Sequence, residues 1–210
     1  MENFGILLRG KSLENLHMII DKFDDCYIVG PWIEELKILS ELLKGKHIIQ
    51  FVNSLLKGRL EREQYKEFNI TEVNFGYIHD MIMNKGPIPG KNKKDLLDGY
   101  ISFGVKKFEW LPDKHVGIMS DSHNTGITSI FNAAEIVKAK NIWIIGLDFY
   151  KNDYLTRITQ EKNKGKADRL IRTFLKIVEN YPQVNFNLLT YYKELPKYPN
   201  LHIIGENDDE

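Results

Sequence analysis

Short apolar runs alternate along the chain with segments whose apolar positions recur at helical spacing. The runs predict buried strands at 4–10, 26–30, 46–53, 115–120, 141–148, 184–190 and 201–204. The segments between them predict amphipathic helices at 12–23, 33–45, 125–140 and 167–181. We expect Ser12 to cap the first helix and Gly45 to end the second.

Strands that are continuous in apolar residues and separated by helices are typical of a parallel sheet covered on both faces. The pattern therefore predicts one α/β domain over residues 1–210, built on a Rossmann-like, doubly wound, mostly parallel sheet. Regularity is lowest in the middle of the chain, where residues 83–95 combine Gly-Pro and Pro-Gly pairs with several lysines. This composition predicts a short insertion or lid at 75–112.

Composition and charge narrow the classes of function. The chain has 29 basic and 29 acidic residues, and this balance disfavours a dedicated nucleic-acid binder. Cys26 is the only cysteine, so neither an internal disulfide nor a cysteine-based zinc site can form. The histidines are scattered and show no metal-ligand spacing. The first apolar run is too short for a signal peptide or a membrane span, and we expect a cytoplasmic protein.

Ligands of open α/β sheets bind beyond the carboxyl ends of the strands, at the point where the strand order reverses. The residues that follow the predicted strands are glycines, small hydroxyls, amides and aromatics. They include Gly10, Ser12, Asn53, Asn124 and Gly146. These residue types let a ligand approach the backbone, hydrogen-bond a ribose or phosphate, and stack on a base or sugar.

The stretch "RGKS" at 9–12 resembles the end of a phosphate-binding P-loop, but the required earlier glycine is Gly5, inside the first predicted strand. No G-x-G-x-x-G follows any strand either, so a dinucleotide fingerprint is absent. The milder interpretation assigns Gly10 to close backbone approach and the following helix start to an anion.

Two later stretches each allow a structural and a functional interpretation. In "HNTGITS", Asn124 or Thr125 caps a helix, or these residues and Gly126 hold a phosphate or ribose. In "GLDFY", Asp148 caps a neighbouring segment or receives a sugar hydroxyl, and the aromatic residues after it belong to the core or to a site. Two neutral phenols, Tyr150 and Tyr154, could donate hydrogen bonds to a phosphate without a metal.

The stretch "TGITSIFNAAEIVKAKNIWIIGLDFYKNDY" (125–154) resembles the bacterial sialyltransferases of glycosyltransferase family 42. In that family a Ser/Thr-Gly helix start leads to a strand that ends in Gly-Ile-Asp-Phe-Tyr. The stretch "ILLRGKSLENL" (6–16) is similar to the family's first strand and the turn after it. The resemblance covers about half the chain. It implies a sialyltransferase-like, GT-A-like variant of the doubly wound fold.

The resemblance also implies a site for a CMP-activated sugar, sialic acid or a related one, with no metal cofactor. It assigns the leaving phosphate to Tyr150 and Tyr154. It assigns donor binding to Gly10, Ser12, Asn53, Asn124, Thr125, Gly126, Gly146, Leu147, Asp148 and Phe149. The implied second substrate is a glycan or glycolipid acceptor, and the oligomers formed by family members leave a homo-oligomer open.

The chain departs from the family at important positions. Arg9 and Lys11 stand where the family has asparagine and proline, and Gly30 replaces another asparagine. The family's general-base histidine has no counterpart in 161–170, where Asn163 falls nearest. His123, with Asp121 behind it, is the nearest alternative base.

Three functions therefore remain open from the sequence. The first is a metal-independent glycosyltransferase with Tyr150, Tyr154 and His123 as catalytic residues. The second is a nucleotide-binding protein of the same fold without transfer activity, which the missing histidine favours. The third is a Mg²⁺-dependent, pyrophosphokinase-like enzyme, which Arg9 and Lys11 favour because two cations beside a helix start suit several phosphates.

Overall fold

The computed structural model describes residues 1–30, 32–52, 67–68, 70, 72–75 and 124–205. The described strands are β1 (Asn3–Leu7), β2 (Asp25–Val29), β3 (His47–Val52), β4 (Glu72–Phe75), β5 (Asn141–Ile145), β6 (Asn185–Leu189) and β7 (Leu201–Ile204). The described α-helices are α1 (Ile33–Leu39), α2 (Thr125–Glu135), α3 (Glu161–Lys164) and α4 (Ala167–Asn180), and 3₁₀ helices cover Lys11–Met18 and Ile20–Lys22. The predicted strand at 115–120 and the predicted insertion after Phe75 lie outside the described residues.

The strands form one sheet in the order β4-β3-β2-β1-β5-β6-β7, and neighbouring strands are parallel throughout. From β1 the chain steps outward to β4, and it then returns to place β5 on the other side of β1. The strand order therefore reverses between β1 and β5, which locates the switch point at their carboxyl ends. The predicted Rossmann-like, doubly wound sheet is confirmed.

Alternating side chains of the strands fill two cores, one on each face of the sheet. On β1, Phe4 and Ile6 belong to the core that includes residues of α2 and α4. Leu7 faces the other core, which includes residues of α1 and of both 3₁₀ helices. Gly5 is required on that face, because a Cβ there would lie 2.5 Å from the ring of Phe23.

The predicted helix at 12–23 is a pair of 3₁₀ helices, with a break at Asn15 (φ −94°, ψ 20°). The prediction that Ser12 caps it is wrong. Gly10 occupies the N-cap position and makes no side-chain cap bond. Ser12 lies inside the first turn, fully buried, where its hydroxyl accepts a hydrogen bond from the Gly146 N–H at 3.1 Å. The Ser12 hydroxyl thus bonds the residue that follows β5 and does not cap the helix, contrary to the prediction from the sequence.

Several element boundaries differ from the prediction. Helix α1 ends at Leu39, and turns continue the chain to Gly45, whose φ of +83° closes them. Strands β1 and β5 end at Leu7 and Ile145, before the predicted ends at residues 10 and 148. Strand β4 was not predicted, since it lies in the part of the sequence with the weakest periodicity.

Cys26 lies in the middle of the sheet on β2 and is fully buried. Burial raises the pKa of the Cys26 thiol to about 12, so the thiol stays protonated at neutral pH. A buried, protonated thiol is a poor nucleophile, which excludes Cys26 from chemistry.

None of the helices in the described ranges is long and apolar enough to cross a membrane.

Candidate functional site

A cleft of about 190 Å³ opens at the switch point between the ends of β1 and β5. The loop after each of these strands supplies most of its walls, as expected for an open α/β sheet. The cleft is lined by Leu8, Arg9, Gly10, Val29, Asn124, Gly146, Leu147, Asp148, Phe149, Tyr150, Asn152, Tyr154, Arg157 and Leu170.

Two glycines let the ends of β1 and β5 approach within backbone contact. The Gly10 N–H donates to the Gly146 carbonyl at 2.9 Å. A Cβ on Gly146, where φ is +78°, would lie 2.6 Å from the carbonyl oxygen of Leu8. A Cβ on Gly10 would lie 2.5 Å from Oδ2 of Asp148. Both glycines are therefore needed for the two strand ends to pack this closely, and their backbone forms part of the floor of the cleft.

Asp148 is buried and joins three segments of the chain. Its Oδ2 accepts a hydrogen bond from the Ser12 N–H at 2.8 Å, at the start of the first 3₁₀ helix. Its Oδ1 accepts from the Thr190 hydroxyl at 3.0 Å and from the Tyr191 N–H at 3.2 Å, just after β6. Both oxygens thus have protein partners, so the structural interpretation of Asp148 is sufficient to explain its position.

The loop after Asp148 begins with two residues in the left-handed region, Phe149 at φ +49° and Tyr150 at φ +58°. Such conformations are unfavourable for residues other than glycine and persist only where the surroundings fix them. Here the buried Phe149 ring supplies that anchor, at 5.7 Å from the rings of Phe174 and Tyr192. Tyr150, the next residue, lines the cleft.

The hydroxyl of Tyr150 is oriented by Asn124. The Asn124 side chain caps α2 by accepting from the Ile127 N–H at 3.1 Å, which confirms its predicted capping role. Its amide nitrogen donates to the Tyr150 hydroxyl oxygen at 2.7 Å, and the Tyr150 hydroxyl also hydrogen-bonds the neighbouring Tyr154 phenol. Burial, followed by the nearby Tyr154 phenol, raises the pKa of Tyr150 well above its usual value. Tyr150 is therefore a neutral hydrogen-bond donor.

The chain brings Tyr154 back beside Tyr150 by pairing with the segment after β1. Leu155 N–H donates to the Arg9 carbonyl at 2.9 Å, and Lys11 N–H donates to the Asp153 carbonyl at 2.8 Å. The rings of Tyr150 and Tyr154 then lie edge to face with centroids 6.3 Å apart. The two predicted phenols thus share one wall of the cleft.

A buried ion pair supports this wall from behind. The Nε of Arg9 lies 2.6 Å from Oε1 of Glu35 on α1, and Glu35 is fully buried. The Thr156 hydroxyl donates to the same oxygen at 3.0 Å. Oε2 of Glu35 has no hydrogen-bond partner among the described residues. One acid therefore ties α1 to both segments that border Tyr154.

Glu35 and Arg157 were not predicted as residues of this region. Glu35 lies among polar residues at the start of α1, where the sequence indicates an exposed helix face, and no signal marks it as buried. Arg157 follows Tyr154 by three residues in a polar segment. Only the folded loop shows its guanidinium 4.9 Å from the centroid of the Tyr154 ring.

The structure brings together most, but not all, of the predicted site residues. The cleft is lined by Gly10, Asn124, Gly146, Leu147, Asp148, Phe149, Tyr150 and Tyr154. Three predicted residues do not line it: Ser12, Thr125 and Gly126. Gly126 packs against the residue that follows β1, since a Cβ there would lie 2.2 Å from Cδ2 of Leu8. Asn53 and His123 lie outside the described residues, and their roles stay predictions.

The cations that favoured a Mg²⁺-dependent enzyme both have acidic partners. Arg9 pairs with Glu35, and Lys11 pairs with Glu14 at 3.0 Å on the surface. Lys11 does not line the cleft. In the part of the chain that the structure describes, no group of three or more histidine, cysteine, aspartate or glutamate side chains could hold a metal ion.

Comparisons with known proteins give distant structural likenesses. No protein-family model and no curated protein matches the chain. Among solved structures, the chain is similar to the sialyltransferase CstII from Campylobacter jejuni, in complex with the substrate analogue CMP-3FNeuAc. The identity is 15%, the TM-score is 0.37, and the match covers 90% of this chain and 81% of that one. The chain is also similar to the HpcH/HpaI aldolase from Desulfitobacterium hafniense DCB-2, with 8% identity, a TM-score of 0.23, and coverage of 91% and 78%. At these low values the likenesses establish neither a shared function nor a shared substrate.

Gly10→Ala tests the close contact between the two strand ends. The new methyl group would lie 2.5 Å from both Oδ2 of Asp148 and the Gly146 carbonyl oxygen, which are held by hydrogen bonds. We expect the free energy of unfolding in urea to fall by about 1–3 kcal/mol. Gly165→Ala is the matched control, because φ at Gly165 is −65° and a Cβ there meets nothing within 4 Å. Equal stability of the two variants would contradict the contact.

Arg9→Met tests the buried ion pair. The change leaves the Glu35 carboxylate buried without its cation, and we expect the free energy of unfolding to fall by about 3–5 kcal/mol. Replacing both residues, in Arg9→Met/Glu35→Leu, removes the buried charge and should restore most of that loss. Urea denaturation of the single and double variants measures the coupling. A double variant as unstable as the sum of the two single variants would rule the pair out.

Proposed function

We propose that the protein is a metal-independent glycosyltransferase that takes its sugar from a CMP-activated donor, sialic acid or a related sugar. The observation that carries this proposal is the pairing of Tyr150 and Tyr154 on one wall of the switch-point cleft. A phosphate in this cleft would meet neutral hydroxyl donors. The resemblance of residues 125–154 to family 42 sialyltransferases supports the same donor class.

The proposed reaction is a displacement at the anomeric carbon of the donor. The acceptor hydroxyl oxygen attacks this carbon, and the carbon–oxygen bond to the phosphate breaks with its electron pair on the phosphate. The acceptor's proton passes to a general base, for which His123 is the candidate. The phenol of Tyr150, which Asn124 orients, donates to the phosphate oxygen where negative charge develops. The acceptor would be a glycan or glycolipid.

A second candidate function is nucleotide binding without transfer. The observation that favours it is the hydrogen bonding of the one described carboxylate that lines the cleft. Of the described lining residues, Asp148 alone carries a carboxylate or imidazole, and both of its oxygens have protein partners. Asn163, which falls nearest to the family's histidine, lies on α3 and does not line the cleft. Release of free sugar or transferred product from a CMP-sugar would separate transfer from binding alone.

Thermal denaturation with nucleotides tests the proposed ligand. A ligand that binds only the native state at 100 times its Kd adds about 2.7 kcal/mol to the free energy of unfolding. For a chain of this size, we expect saturating CMP to raise Tm by roughly 5–10 °C. UMP and AMP at equal concentration are the controls for base recognition. An unchanged Tm with every cytidine nucleotide at millimolar concentration would count against the proposal.

Tyr150→Phe tests the leaving-group role. The variant loses a donor to the charge that develops during transfer, so kcat for transfer from a CMP-sugar should fall about 10²-fold while donor affinity changes little. Tyr198→Phe is the matched control, because its hydroxyl bonds Glu179 and does not line the cleft. A Tyr150→Phe enzyme with unchanged kcat would eliminate this role.

A further inference from the structure

The described lining of the cleft contains three formally charged side chains, those of Arg9, Asp148 and Arg157. The oxygens of Asp148 accept hydrogen bonds from the protein, and the Nε of Arg9 is paired with Glu35. Arg157 is different, since its guanidinium has neither an ion pair nor a side-chain hydrogen bond with any other described residue. It is the cation of this lining that no described carboxylate neutralises.

The loop holds Arg157 beside the phenol that we assign to the phosphate. Its guanidinium carbon lies over the Tyr154 ring, 4.9 Å from the centroid, which is cation–π distance. The Tyr154 N–H donates to the Arg157 carbonyl at 3.0 Å and closes the short segment between them. The hydroxyl of the preceding residue, Thr156, donates a hydrogen bond to Oε1 of the buried Glu35 at 3.0 Å. The backbone of this segment is therefore anchored up to and including Arg157.

We infer that Arg157 binds the phosphate of the nucleotide, and that it gives the cleft its preference for phosphorylated over unphosphorylated nucleosides. The inference rests on the proposed function, because it assumes a nucleotide in this cleft. The planar guanidinium presents donors whose spacing matches phosphate oxygens. Its ring contact leaves those donors available, since cation–π attraction does not use the N–H groups.

The charge of the reacting phosphate changes in a direction that Arg157 favours. A CMP-sugar phosphodiester carries one negative charge, and one cation without a carboxylate partner balances it. When the bond to the anomeric carbon breaks, the electron pair stays on the phosphate and the monoester carries nearly two negative charges. Meanwhile the acceptor oxygen bonds the anomeric carbon, and its proton passes to the base or to water. The attraction to Arg157 thus increases as the bond breaks, in addition to the hydrogen bonds of Tyr150 and Tyr154.

The experiment compares the affinities of CMP and cytidine by calorimetry for the wild type, Arg157→Gln and Arg157→Lys. Arg172→Gln is the matched control, because Arg172 is an exposed arginine on α4 that does not line the cleft. We expect Arg157→Gln to weaken the affinity for CMP about tenfold or more, since one charge-assisted contact to phosphate is lost. The affinity for cytidine should stay unchanged. Arg157→Lys should recover part of the loss, and Arg172→Gln should bind both ligands as the wild type does.

Each outcome decides one of two questions. Unchanged CMP affinity in Arg157→Gln, or an equal loss of CMP and cytidine, overturns the inference. The same titrations with UMP, AMP and GMP and their nucleosides separate the inference from the proposed function. A wild type that binds one of these monophosphates through Arg157 but not CMP overturns the CMP donor and supports the phosphate site. A wild type that binds none of the monophosphates overturns both.

Discussion

The close backbone contact between the ends of β1 and β5 is the constraint on which the rest of the site depends. The N–H of Gly10 reaches the carbonyl of Gly146, and Asp148 then accepts a hydrogen bond from the Ser12 N–H directly behind this contact. A side chain on either glycine would collide with backbone or with the Asp148 carboxylate. Because these two strands flank the switch point, their contact sets the floor of the cleft and the direction in which both following loops leave the sheet.

The loop after β5 places polar side chains along one wall of the cleft. Two consecutive residues with positive φ turn the chain, and the buried Phe149 ring holds the strained turn in place. The loop then pairs with Arg9 and Lys11, so Tyr150 and Tyr154 come together within one short segment. The buried carboxylate of Glu35 behind this wall compensates the charge of Arg9. The charge of Arg157 has no carboxylate partner among the described residues. The charge of the cleft thus depends on which of its two arginines is paired with a buried acid.

The sequence was a good guide to the sheet and a partial guide to the site. Continuous apolar runs identified β1, β2, β3, β5 and β6, since strands buried on both faces leave a strong signal, and they also identified the less buried edge strand β7. Residues after the ends of β1 and β5 line the cleft, because the strand ends of a parallel sheet converge at one edge. Ser12, Thr125 and Gly126 do not line it. Whether a small residue beside a strand end faces a ligand or a neighbouring backbone depends on distances of a few ångströms, which periodicity does not encode.

The sequence by itself determined the parallel α/β architecture, the edge of the sheet where the cleft opens, and the phenols Tyr150 and Tyr154 that line it. Hydrophobic spacing and residue type are local properties, and they suffice for these features. Only the tertiary structure decided that Asp148 joins three segments, that Glu35 is buried against Arg9, and that Arg157 lies over Tyr154. These contacts join residues up to 136 positions apart or depend on the path of a strained loop. Such pairings arise from packing in three dimensions, and no pattern along the chain specifies them.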